Sequence, residues 1–326
     1  MIGRPARALV ACLAAVATAV AVPAVVAVVT TGASAEAATL RTAKAPTLAW
    51  RAQAPSAMVI GRSVTGRYIV ARRQGPADAP RVLLVLGQMH GSEPAGRAVV
   101  GQVRTLPAPK GVQVWTISTM NPDGSVRGTR QNARGVDLNR NFPQGWLRTY
   151  TSRVYYPGPG ALSEPESQTM VRFLDNLRPD LIVSLHQAAR SIDLGNPKTR
   201  LWAYRLARAF NLPTRTVSCD GPCAGTLTGW FNTYYSGFGV TVELPRTVTP
   251  YMARYYARAA LKVGAMLATT PTPTPTTTSA SPSPTGTSVT PTPTDTSTPA
   301  PAALPATVPG ADTPSVPETV GPSAAP

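Results

Sequence analysis

The chain has 326 residues, 31 of them Lys or Arg against 15 Asp or Glu, for a net charge of +16. No basic run and no basic motif interleaved with aromatics is present, which argues against a nucleic-acid binder. Attraction to an anionic envelope polymer suits such a charge better in an exported protein. Residues 1–35 read as a secretory signal, with Arg4 and Arg7 before an uncharged Ala/Val-rich run and Ala33, Ser34 and Ala35 as the cleavage site. A retained membrane anchor is the alternative, because the run approaches the span of about 20 residues that a bilayer needs. Cys12 does not sit in a lipoprotein box, since the apolar run mostly follows it.

Residues 36–55 are expected to be a linker and 56–268 a single catalytic domain. Residues 36–268, about 230 in all, are a normal size for one α/β domain. With the signal and the C-terminal tail set aside, the middle holds 29 basic and 12 acidic residues, a net +17. Arg81 to Gly87 is a continuous apolar run and reads as a strand buried on both faces. A helical stretch to about Leu106 follows, then a β-rich run from Val112 to Ile117. Ser163 to Glu166 has the form of a capping box with proline in the first turn. The helix it opens carries Met170, Val171, Phe173, Leu174 and Leu177 at helical spacing. Leu181 to Leu185 is a second buried strand, Lys198 to Leu212 a helix and Gly239 to Glu243 a strand. A last helix starts at Thr249 and Pro250 and runs to about Ala268. Strands alternating with helices predict an α/β fold, with a mixed, mostly parallel central sheet and helices on both faces. From Thr270 to Pro326 no Lys, Arg or aromatic residue occurs. The Pro/Thr/Ser/Ala-rich tail, 269–326, is expected to be disordered because it cannot bury enough apolar surface to offset its ordering entropy. Leu304 to Thr307 hints at a sortase signal, but no hydrophobic stretch or basic end follows.

Cys219 and Cys223 lie four apart in CDGPC, which in an oxidising compartment reads as a small loop-locking disulfide. A zinc knuckle is the alternative, although no third or fourth ligand is near. The only two histidines, His90 and His186, end the first buried strand and the Leu181 to Leu185 strand, and ligands gather at the carboxyl ends of such strands. Glu93 lies three residues after His90, across a turn that Gly91 tightens. Each histidine alone is an ordinary half-buried side chain. Together with the glutamate they form a catalytic zinc set, two imidazoles and a carboxylate with a fourth position open to water.

GQMHGSEPAG, NPDGSVRGTRQNARGVDLNRNFP, LIVSLHQ and GVTVELP, in this order, resemble the zinc carboxypeptidase family over roughly residues 58 to 268. Within it, GTRQNARGVDLNRNFPQGW and GTLTGW are most similar to the compact murein peptide amidases, which cut the γ-D-glutamyl bond to meso-diaminopimelate in wall peptides. The resemblance implies one zinc ion per chain on His90, Glu93 and His186. It also implies that Asn139 and Arg140 grip the free carboxylate of the released residue and that Arg130 polarises the scissile carbonyl. A guanidinium fork meets a carboxylate through two parallel hydrogen bonds, which lysine cannot reproduce. Asp137 is expected to shape this loop, and Asn132, Arg134 and Asn141 to be structural. Glu243 matches the family's catalytic glutamate, which moves the proton from water to the leaving amine.

Two departures stand out. The family's substrate-closing tyrosine has no match: counting back from Trp230 places Gly221 there, and Tyr234 and Tyr235 stand too close to Glu243. The same count puts Thr228 at the floor of the specificity pocket, and a small polar floor suits a long side chain with a polar end. These features point to a secreted zinc exopeptidase or amidase, wall-associated and acting on peptidoglycan peptides with a free carboxylate. The rivals are a general metallocarboxypeptidase on extracellular peptides and a non-catalytic wall-binding module.

Overall fold

A computed structural model describes residues 48–217 and 223–269. The expected signal, most of the linker and nearly all of the tail therefore lie outside the described residues. The apolar runs Arg81–Leu86 (β3) and Val112–Ile117 (β4) are buried at every position. Their side chains alternate between two cores: Leu83, Val85, Val112 and Val114 enter one, and Val82, Leu84, Trp115 and Ile117 the other. A strand so placed is mostly apolar on both sides, which is why Arg81–Leu86 reads as a continuous run, while Val112–Ile117 also carries the buried Gln113 and Thr116.

Eight strands form one mixed sheet, completed by Ala57–Arg62 (β1), Tyr68–Gln74 (β2), Leu181–Gln187 (β5), Ser191–Asp193 (β6), Thr214–Arg215 (β7) and Phe238–Leu244 (β8). The spatial order is β1-β2-β4-β3-β5-β8-β6-β7. The central four, β4, β3, β5 and β8, are mutually parallel. β1 and β2 add an antiparallel hairpin on one side, and β6 pairs antiparallel to β8 on the other. Ala95–Val103 (α2), Arg200–Phe210 (α5) and Pro250–Ala268 (α7) pack on one face, through Val99, Trp202, Phe210 and Tyr256 among others. Leu48–Gln53 (α1), Pro165–Leu177 (α4) and Leu227–Tyr234 (α6) cover the other face. A short helix, Pro122–Arg127 (α3), follows β4. No helix among the described residues is long and apolar enough to cross a membrane.

Several sequence expectations change. α1 falls in the stretch read as linker, and its Trp50 stacks on Trp115 with ring centroids 6.2 Å apart. The capping box at Ser163 does not form, because Glu164 is the N-cap residue and makes no side-chain cap bond. Ser163 instead donates to Glu164, and Glu166 accepts from the Val64 amide at 3.1 Å and from Asn132 at 3.2 Å. Tertiary partners outbid the local cap. The helix expected over 198–212 begins as a 3-10 turn at Pro197–Thr199 and ends at Phe210, where Asn211 turns left-handed at φ 52°. His90 lies in the turn four residues beyond β3, not at its end, whereas His186 is within β5.

The NPDG segment fastens the hairpin to the site loops. Asn121 caps α3 by accepting from the Gly124 amide at 2.9 Å. Asp123 accepts from Ser63 Oγ at 3.0 Å, from the Thr65 amide at 3.1 Å and from the Thr65 hydroxyl, and pairs with Arg67 at 3.3 Å. Burial pushes the Asp123 carboxyl up, but hydrogen bonds from Thr65 and Ser63 and the charge of Arg127 outweigh it and hold it below its ordinary value. Asp123→Asn is therefore expected to cost about 2 kcal/mol at pH 7, the scale of hydrogen bonds to a buried charge. A group depressed on folding stabilises above its unfolded pKa, about 4, and loses that contribution as pH falls through its folded value. Urea unfolding should show the gap between parent and variant closing below about pH 4; a gap independent of pH would mean the charge is irrelevant.

Candidate active site

The carboxyl ends of β3, β5 and β8 open onto one cavity of about 430 Å³. All eight residues singled out from the sequence line it: His90, Glu93, Arg130, Asn139, Arg140, His186, Thr228 and Glu243. Gly91 lets the His90 turn lie against α3, since a Cβ there would stand 1.9 Å from the Gly124 carbonyl carbon. That turn is closed by the Glu93 amide donating to the His90 carbonyl at 3.0 Å. The Glu93 carboxylate then faces both imidazoles, 2.8 Å from His90 Nδ1 and 3.1 Å from His186 Nδ1. Parallel pairing sets His186 beside Glu243 on the next strand.

The three donor atoms of His90, Glu93 and His186 lie within 4.8 Å of one another, and all three residues are buried. Two imidazole nitrogens and a carboxylate oxygen, so gathered, fit a catalytic zinc ion. A partner on the far side of His90 supports that fit. Asp137 Oδ1 stands 3.0 Å from His90 Nε2, so Nε2 carries the hydrogen and Nδ1 offers its lone pair to the cluster.

Asp137 does more than shape the loop. Fully buried, it also receives Arg130 through Nε at 3.0 Å and Nη2 at 2.9 Å, and the Asn139 amide at 2.9 Å. Burial alone would raise its pKa, yet the hydrogen bond from His90 and the charge of Arg130 hold the carboxyl well below the usual range. Arg130 Nη1 reaches Glu93 at 3.3 Å, beside the donor cluster. Asn139 Oδ1 accepts from the Leu227 amide at 3.1 Å, at the start of α6, which leaves its NH2 end as the donor on the cavity side. Arg140 Nη1 donates to the Asn139 carbonyl at 2.9 Å. Glu243 lines the cavity but is only 9% exposed, more enclosed than an open cleft would make it, with the Ala189 amide 3.4 Å from Oε2. Asn132 and Asn141 are buried and tie the loop to the segment before α4, Asn132 donating to Glu164 at 2.7 Å and Asn141 to the Pro157 carbonyl at 2.8 Å.

Of the lining residues that went unrecognised in the sequence, three bear on how the site is built. Tyr155 stands under both arginines, 5.2 Å from Arg130 and 5.6 Å from Arg140, and supplies the aromatic wall that Gly221, outside the described residues, does not. Gln187 ties the ligand loops together: its amide donates to Glu93 at 3.3 Å and its side chain accepts from the Ala95 amide at 2.7 Å. Asp193 stands where the main cavity meets a second one of about 310 Å³. Thr228 and Thr241, 3.3 Å apart through their hydroxyls, line the same junction. Cys223 is disulfide-bonded and borders both cavities, while Cys219 lies outside the described residues.

Residues 108–199 match the zinc carboxypeptidase family model. Murein peptide amidase A of Escherichia coli K12 is 32% identical over 184 residues, covering 52% of this chain and 74% of that one. The chain belongs to the zinc carboxypeptidase family. Its fold aligns with murein-tripeptide amidase MpaA from Escherichia coli O157 at a TM-score of 0.54, with 26% identity over 66% of this chain and 94% of the other. Carboxypeptidase A from Helicoverpa armigera has the same fold at a TM-score of 0.55 and 21% identity, over 65% and 68% of the two chains. Like other zinc carboxypeptidases, the protein is a metallopeptidase-type hydrolase, from a zinc-dependent family.

Proposed function

We propose that the protein is an exported monozinc exopeptidase or amidase that releases a residue bearing a free carboxylate from peptidoglycan peptides. Zinc on His90, Glu93 and His186 would polarise the scissile carbonyl and lower the pKa of water beside it. Arg130, bonded to Asp137 and Glu93, is positioned to donate to the carbonyl oxygen as it gains charge. Asn139 and Arg140 hold the terminal carboxylate of the released residue. Glu243 takes a proton from the attacking water and hands it to the departing nitrogen, so that the C–N bond breaks to an acid and an amine. Residues 1–35 support export, and the relationship to murein peptide amidase A supports a wall peptide as substrate.

The observation that carries the substrate reading is the second cavity. Among the described residues lining it, Asp193 is the only charged one. Asp193 Oδ1 accepts from the Gly195 amide at 2.9 Å and the Val217 amide at 3.1 Å, and no cation among the described residues pairs with its carboxylate. A residue held by its carboxylate at Arg140 would send its side chain past Thr228 towards this acid. A long side chain whose end carries an ammonium group fits, as that of diaminopimelate does beside its second carboxylate, whereas a short apolar one leaves the acid unpaired. Mass spectrometry of muropeptides digested by the purified protein should show release of diaminopimelate from the γ-D-glutamyl bond. Asp193→Asn should lower kcat/KM for that substrate by about tenfold or more, the scale of one charge-assisted contact, and leave an alanine-terminated analogue nearly unchanged. Equal turnover of the two substrates by the parent protein would favour the general carboxypeptidase instead.

A further inference from the structure

The surplus charge is divided unequally between the two helical layers. On one face of the sheet, α2, α5 and α7 carry Arg97, Arg200, Arg205, Arg208, Arg254, Arg258 and Lys262, seven basic residues and no acidic one. On the other, α1, α4 and α6 carry Arg51 and Arg172 against Glu166 and Asp175, so their charges cancel. Folding alone does not require this, because exposed helix positions accept either sign and mixed pairs would add a few tenths of a kcal/mol each.

The basic layer also has an ordered surface. α5 and α7 abut where Phe210 stacks on Tyr256 with centroids 5.4 Å apart and Tyr255 Oη donates to the Ala209 carbonyl at 3.1 Å. Arg200, Tyr204 and Arg208 recur at steps of four along α5, all exposed. Tyr251, Tyr255, Arg258 and Lys262 recur at steps of four, three and four along α7, also exposed. Tyr251 is 81% and Tyr204 55% exposed, and Leu201 is the only large aliphatic side chain standing out between them. Such rings do not serve the core. Flat aromatic faces stack on sugar rings, and arginine forks match carboxylate or phosphate groups. A membrane surface would call for a broader apolar stripe than this.

We infer that the α5–α7 layer is a docking surface for an anionic polysaccharide strand, separate from the catalytic cavity. The inference rests on the proposed function for its purpose: holding an anionic polysaccharide that runs among the wall peptides raises their local concentration. Binding can nevertheless be read without turnover. The test uses polygalacturonate-agarose and plain agarose as probes, with the full chain. The parent protein should be retained by polygalacturonate in a salt-dependent way and pass through plain agarose. Arg200→Gln/Arg258→Gln should weaken retention about fivefold or more, since two of the layer's charges are gone. Arg51→Gln/Arg172→Gln removes the same charge from the opposite layer and should change it less than about twofold. Turnover of a soluble wall tripeptide should be equal in all three proteins, which also reports that each is folded. If either double variant is unstable, Arg200→Gln and Arg172→Gln alone give the same comparison. Equal losses from both layers, unchanged retention in the α5–α7 variant, or preferential capture by single-stranded DNA or phosphatidylglycerol vesicles would each overturn the inference. A protein that binds but turns over no tripeptide would sink the enzymatic reading and leave the docking surface standing.

Discussion

Glu243→Gln is expected to reduce turnover at least about a hundredfold while leaving metal content and substrate affinity near those of the parent, since general acid–base catalysis contributes about 10² to 10⁴-fold. Glutamine keeps the volume of the side chain and an oxygen that can still accept from the Ala189 amide. It cannot take a proton. The candidate metal cluster is His90, Glu93 and His186, and the proposed carboxylate grip is Asn139 and Arg140, so neither would pass through position 243. A hundredfold loss corresponds to about 2.7 kcal/mol of transition-state stabilisation. Zinc analysis, inhibitor affinity and single-turnover kinetics on one wall tripeptide separate the roles. A variant with lowered stability but parental specific activity would make Glu243 structural, and a parent without turnover would leave only a binding module.

His186→Ala should lower zinc affinity by more than about a hundredfold, beyond what losses of outer-shell partners cost. The domain should survive the change, because Glu93 would not be orphaned: Arg130 Nη1 and the Gln187 amide still donate to its carboxylate. A ligand that binds only the native state raises its stability, so adding zinc should raise the unfolding temperature of the parent and leave that of the variant where it was. Metal analysis after dialysis gives the same answer independently. Full occupancy in the variant would remove His186 from the ligand set.

The parts of the fold that could be read from the sequence are those whose burial is symmetrical. β3, β4 and β5 are buried at nearly every position because helices cover both faces, so apolar residues dominate them, and α4 and α7 show a periodic stripe because one side meets the sheet. β1 alternates only between partial burial and exposure, and β6 and β7 have three and two residues, too few for a pattern to emerge. The site was legible to the extent that its residues sit in short motifs. His90, Glu93, His186 and Glu243 stand on adjacent loops and strands, and strand pairing fixes how they meet. The second function of Asp137 is invisible in one dimension, because it depends on a loop 47 residues away crossing behind His90. Tyr155 and Asp193 are likewise brought to the cavity by tertiary packing, and neither sits in a pattern that marks it.

The bonds of Asp137 have a consequence for which molecules can be cut. One rigid, buried side chain holds both the imidazole of a candidate metal ligand and the backbone of the segment proposed to grip the carboxylate. These bonds tie the two ends of the cavity together, and on the proposed reading the span between them would work as a ruler. A terminal carboxylate held at Arg140, as proposed, would present the bond one residue inward to the candidate metal cluster. A bond deeper in the chain would require that carboxylate to lie beyond the wall. Selection for the chain end would then need no gate and no recognition of the preceding sequence. It is a matter of length, set by the one acid that both halves of the cavity share.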